Sequence, residues 1–231
     1  MASAALDQAA RRAYDRMAGD LRRVFGDRFV ALVASDRGSS AAFVSTLDAS
    51  DLDALGPLAD AWHREQLSAP LVMTVDEFHR SLDAFPAEYQ TLLDHHDVIT
   101  GRPPFDGVRI HADDLRRACE VQARGHLIHL RQGWIEAASH HGGLAALIER
   151  SAGPLRALLA NIASVYGEHP ADDMALAGFA HRVTGMPEDL VRDVLAVTDA
   201  PQKTAALVPA LPDYLAACQR LWVFIDRWRA Q

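Results

Sequence analysis

Residues 29–53 read FVALVASDRGSSAAFVSTLDASDLD, and how this stretch folds decides what the rest of the chain can do. Phe29 to Ala34 is a short apolar run rich in β-branched and aromatic residues, too short for a helix, so it reads as a buried strand. Asp36-Arg37-Gly38-Ser39-Ser40 carries turn chemistry, and Ala41 to Leu47 forms a second strand beside the first. Ser50 then fits a helix N-cap with Asp53 three residues on, and Leu52, Leu55, Leu58, Ala59 and Trp62 supply the apolar face of a helix that stops near Leu67.

The same residues admit a second register. Ser50-Asp51-Leu52-Asp53 is an S-D-x-D run, and on a strand the alternation of side chains would put Asp51 and Asp53 on one face as paired metal ligands. On a helix, positions i and i+2 diverge. The helical periodicity that follows, with Gly56-Pro57 inside it, favours the capping register.

Upstream, Leu6, Ala10, Ala13, Met17, Leu21 and Val24 make one buried helical stripe that Gly26 closes. Downstream, Pro70 to Met73 is a third strand, and Thr74-Val75-Asp76-Glu77 is a capping box opening a short helix through Leu82. Pro86 breaks that helix, Glu88 to Leu92 is a fourth strand or a helical turn, and Val98-Ile99-Thr100 is a strand ending at Gly101. Arg102-Pro103-Pro104-Phe105 reads as a linker. Beyond Ile110 every periodic segment is helical: residues 112–140, 144–166 with a kink possible at Pro154, 172–183, a helix from Pro187 to Val197, and a last one from Pro212 to Arg229. The expected architecture is α+β: a small mixed sheet with flanking helices in residues 1–110, followed by a helical bundle in 111–231.

The 231 residues, 49% apolar and 23% charged, suit a globular chain. A net charge of −8 excludes a general duplex-binding surface, which needs clustered cations, although Arg116, Arg117, Arg124 and Arg131 form a local basic run. Cys119 and Cys218 are isolated, which offers neither a disulfide framework nor a C-x-x-C site, and no run reaches the length of a membrane span, so the expectation is a cytoplasmic protein with no membrane partner. Lys203 is the only lysine and lies outside any G-K-[ST] context, which excludes a Walker-A loop.

Helix–strand–turn–strand at the start and a helical bundle at the end resemble the DNA polymerase beta-like nucleotidyltransferase superfamily, in its minimal and kanamycin-nucleotidyltransferase types, and within it a degenerate bacterial member. The likeness covers roughly residues 25–165 and rests on Pro70-Leu71-Val72-Met73-Thr74, Arg80 to Tyr89, Gly101 with Pro104-Phe105, Arg124-Gly125-His126-Leu127 and Leu130-Arg131-Gln132. Active members carry a G-S pair after the first strand, an S-D-x-D run on the second and a third carboxylate later, which together hold two Mg²⁺ ions against a nucleoside triphosphate. Here Ala34-Ser35 replaces the G-S pair. The resemblance then implies a fold that has lost its metal carboxylates and binds a nucleotide, a small ligand or a protein through Ser35, Asp36, Arg37, Ser39 and Glu88. The alternative is an active Mg²⁺-dependent enzyme using Asp51, Asp53 and Glu88 on a small molecule or a protein.

Other patterns are weaker. Arg124 and His129 match the R-x4-H spacing of helical ribonuclease domains, with His129 as acid or base and Arg124 as phosphate clamp. His126 and His129 share a helix face at i, i+3, His95-His96 and His140-His141 sit at element ends, and no Ser-His-Asp or Cys-His arrangement has the context it needs. Trp222, Phe224, Ile225 and Trp228 make the last helix more aromatic than one buried stripe requires; most of this reads as bundle core, but Phe224 falls off the Leu221–Ile225–Trp228 face, which leaves a protein partner or homodimer surface as the second reading.

Overall fold

A computed structural model describes residues 6–34, 39–94, 96–138, 140 and 142–228. The chain divides into two compact units, residues 1–110 and 111–231. The architecture is mixed α+β, a four-stranded mixed sheet with flanking helices and a C-terminal helical region.

In the first unit α1 (Gln8–Phe25) is capped by Asp7, whose carboxylate accepts from the Ala10 N–H, and ends at Gly26 with φ 55°. Then follow β1 (Phe29–Ala34), β2 (Ser40–Val44), α2 (Ala49–Leu55), α3 (Ala59–Arg64), β3 (Leu71–Thr74), α4 (Val75–Arg80), α5 (Pro86–Asp94) and β4 (Asp97–Gly101). The sheet order is β3-β2-β1-β4, with β1 antiparallel to both neighbours and β2 parallel to β3.

The two central strands are apolar at every position but Ser40, because both of their faces are covered. Leu32 and Ala34 of β1, with Ala42 and Val44 of β2, pack on Tyr14, Met17, Leu21 and Phe25 of α1 and on Trp62 of α3. Ala31, Val33, Ala41 and Phe43 face the opposite way into a second core with Phe78 of α4, Tyr89 and Leu92 of α5, and Phe105. There Phe78 meets Phe43, Phe105 and Tyr89 at centroid distances of 5.3, 5.5 and 5.0 Å, edge-on to Phe43 and Tyr89. Trp62 also donates its indole N–H to Asp20 at 2.9 Å, tying α3 to α1.

Two local expectations need correction, and one open alternative is settled. The helix over 50–67 is two pieces, because a 3-10 turn at Gly56–Leu58 separates α2 from α3. Its N-cap is Asp48, not Ser50: Asp48 accepts from the N–H groups of Ser50 and Asp51 at 2.8 and 3.2 Å, and Asp51 accepts from the Asp48 N–H at 3.0 Å. This reciprocal box is better than one Ser50 could make, since a carboxylate serves two donors and favours the positive end of the helix. Residues 88–92 are helical, with Pro86 opening α5, where its missing N–H costs nothing. The Thr74–Glu77 box is present as read, with bonds of 3.1 and 2.7 Å.

The second unit contains α6 (Ala112–Ala137), α7 (Gly143–Val165), α8 (Asp173–Thr184), α9 (Glu188–Ala196), α10 (Thr204–Leu207) and α11 (Leu211–Arg227). α10, flanked by 3-10 turns, is an addition to the sequence reading. α7 is the centre of this core, with Ile148, Ala152, Leu155, Leu158, Leu159 and Ile162 fully enclosed, and α6 packs between α7 and α11. α7 runs on through Pro154, whose missing N–H leaves the Arg150 carbonyl without its i+4 donor. Among the described residues no helix is long and apolar enough to cross a membrane.

Candidate functional site

The carboxylates that a two-metal site would need lie apart. Asp51 is on α2, only 5% exposed. Its two oxygens are held by Arg28, Nη1 to Oδ2 and Nη2 to Oδ1, each at 2.7 Å, and Oδ2 is also the capping acceptor. The hydrogen bonds from Arg28 hold the Asp51 carboxyl below the ordinary carboxylate range, and Asp51 in turn raises Arg28. Asp53 is exposed two positions further along the same helix, and Glu88 is exposed in the first turn of α5. A divalent ion at Asp51 would have to displace a bidentate guanidinium, so these residues do not fit Mg²⁺. Among the described residues no group of three or more His, Cys, Asp or Glu side chains is placed to hold a metal.

The Arg28–Asp51 pair gives a testable outcome. Arg28→Ala is expected to lower the melting temperature of the first unit at pH 7, because it strands an enclosed carboxylate. A depressed carboxyl stabilises the fold above its unfolded pKa of about 4, and this contribution is lost as pH falls through the lower folded value. The melting difference between the native chain and Asp51→Asn should therefore shrink below about pH 4. A difference that is constant with pH would mean that the pair does not form.

Of the residues expected to line a ligand cleft, Ser35, Asp36 and Arg37 lie outside the described residues. Ser39 is exposed just before β2. The sheet end to which it belongs is defined by Ala34, which pairs with Ser40 on one side and Asp97 on the other. Ser40 is buried, Asp97 accepts from the Leu6 N–H at 3.3 Å, and His96 stands directly before β4. The buried Nδ1 of His96 has no hydrogen-bond partner among the described residues, and its ring is edge-on to Phe105 at 4.9 Å. Sequence reasoning assigned this histidine to a helix end; its place immediately before a strand that pairs with β1 was the signal for putting it at the sheet end instead. His140 does keep its helix-end role, with Nδ1 at 2.9 Å from the Glu136 carbonyl.

A second concavity, about 540 Å³, lies wholly within the helical unit between α6 and α7. Its polar lining includes Gln122, His126, His129, Glu136, Arg150 and Ser151. His126, one of its lining residues, has Nε2 2.9 Å from the Tyr214 hydroxyl. Burial, with a smaller effect from His129, lowers the His126 imidazole to about 4, so at neutral pH the ring is uncharged, and its tautomer decides which of the two partners donates. Burial also raises Tyr214 and pushes the Cys119 and Cys218 thiols up to about 12, which removes them as nucleophiles.

No family model matches this chain, and no curated protein matches it. The site must be judged on its own geometry.

Arg124 and His129 do not meet within one chain. Five helical residues turn about 500°, so the two side chains leave α6 roughly 140° apart. Arg124 turns to α11, where its guanidinium lies over the Trp222 ring at 5.6 Å and 4.0 Å from Asp226, whereas His129 lines the α6–α7 groove. The aromatic residues at the end of α11 and just beyond it are half-buried: Trp228 stacks on Tyr166 at 5.2 Å and on Phe224 at 6.2 Å, Trp222, Phe224 and Trp228 pack against the bundle core, and Phe224 and Trp228 also line an open concavity with Arg220 and Arg227.

Proposed function

We propose that this chain is a catalytically inactive protein of nucleotidyltransferase-like fold that works as a binding module for a nucleotide or other small ligand, or for a protein. The observation that carries the reading is the commitment of Asp51: the carboxylate that begins the only S-D-x-D run caps a helix and pairs with Arg28 instead of facing a cleft. With Asp53 exposed on α2 and Glu88 exposed on α5, two-metal phosphoryl transfer has no ligand set among the described residues. The sheet end at Ser39, Ser40, His96 and Asp97 remains as the polar ground for a ligand. Burial of both cysteines as protonated thiols fits a reducing, cytoplasmic setting.

Calorimetric titration with ATP and GTP tests the reading. The expected result is the same binding heat with Mg²⁺ and with EDTA, and no transfer of the nucleotide to any acceptor. A heat that requires Mg²⁺ and disappears in Asp51→Asn would establish the enzyme instead. Absence of any heat would narrow the module to protein ligands.

A further inference from the structure

The outward face of α6 carries Val121, Ile128 and Ile135, exposed by 73%, 52% and 79%. Scattered apolar residues on a surface need no explanation, but these three follow one another at intervals of seven. On a straight helix a seven-residue step drifts by only about 20°, so they form a single column some 21 Å long. All three are β-branched, the side-chain type that coiled-coil seams favour at one of their two apolar positions.

Beside this column runs a second with the same step: Arg117, Arg124 and Arg131, each four residues before its apolar neighbour. Arg117 and Arg124 are more than half exposed. Asp114 pairs with Arg117, Glu120 and Asp226 approach Arg124 at 3.5 and 4.0 Å, and Arg131 donates to Gln219 at 3.3 Å. Arg124 also lies over the Trp222 ring at 5.6 Å; the arginine ends of these pairs are solvent-accessible, and pairs of this kind contribute little and exchange readily. On the other flank Gly125 leaves open space, since a Cβ there would meet nothing within 4 Å, and the α6–α7 groove opens at this point.

We propose that this face docks an amphipathic helix of another protein, one that carries a column of acidic residues beside its apolar column. The apolar columns meet along the seam, the acidic side chains meet the arginines, and a bulky residue enters the groove at Gly125. An antiparallel second copy of this chain complements the face poorly. With two α6 helices antiparallel about Ile128, the arginine columns of the two copies lie side by side, and like charges at such positions reject the pairing.

The inference concerns the helical unit alone, so it stands or falls separately from the nucleotide titration. The probe is a labelled synthetic helix of about three heptads with Ile and Glu columns, together with a twin carrying Lys in place of Glu. Fluorescence anisotropy with the full chain should show saturable binding of the Glu peptide at least about tenfold tighter than that of the Lys peptide. The triple variant Val121→Gln, Ile128→Gln, Ile135→Gln, changed only at exposed positions, should abolish binding, and Arg124→Glu with Arg131→Glu should reverse the preference. Equal binding of both peptides, or binding unaffected by the triple variant, would overturn the proposal. So would light scattering that finds a dimer which Ile128→Gln converts to a monomer, because the occupant would then be a second copy.

Discussion

Gly101→Ala is expected to destabilise the first unit by about 3 kcal/mol or more. Gly101 ends β4 with φ 79°, a conformation that L side chains rarely adopt, and a Cβ built there would lie 2.0 Å from the Val30 carbonyl oxygen and 2.8 Å from the Ala31 Cα. Both obstacles belong to β1, the strand to which every other part of the sheet is referred, so the backbone cannot step aside without loosening the ladder. Calorimetric unfolding would measure the loss. Gly19→Ala is the control, since Gly19 lies inside α1 with nothing within 4 Å of its Cβ, and there the helix should gain up to about 1 kcal/mol. Equal midpoints for Gly101→Ala and the native chain would contradict the close approach of β4 to β1.

The second large effect is acid loosening of the helical unit through His126. The imidazole titrates at about 4 in the folded chain and at about 6.5 when unfolded. Above pH 6.5 both states are neutral and the group has no effect. Between 6.5 and 4 the unfolded chain binds the proton and the folded chain does not, so stability falls as pH falls. Below 4 both are charged and the loss levels off, having reached about 3 kcal/mol. His126→Gln keeps a hydrogen-bonding group beside Tyr214 and cannot titrate, so its unfolding free energy should decline less between pH 7 and pH 4 by that amount. Parallel pH profiles for the two proteins would mean that His126 is open to water.

How much of the fold is legible in the residues follows from the range of the interactions. The strand 29–34 and the Thr74–Glu77 cap were readable because strand preference and capping are settled within a few positions, and the second strand, expected over 41–47, runs over 40–44, one residue earlier at its start and three shorter at its end. The displacement of the cap from Ser50 to Asp48 was not readable, because it is fixed in part by Arg28, which holds Asp51 from 23 positions away. Residues 88–92 were ambiguous since a short apolar run has no distinctive period, and the proline before it was a start rather than a stop. The His126–Tyr214 pair joins residues 88 apart, and no local pattern announces it. The α6 column was present in the sequence all along, but only the packing of α6 between α7 and α11 shows which of its faces remains uncovered.

The place of β1 in the sheet also fixes an order of events during synthesis. β1 and β2 are neighbours in the chain and can pair as soon as residue 44 has emerged, whereas the other edge of β1 waits for β4, whose Gly101 opposes Ala31 across 70 residues. Until then the nascent chain carries an open β edge lined with apolar side chains, the state in which sheets pair wrongly with one another. The risk to this protein is therefore greatest while it is half made.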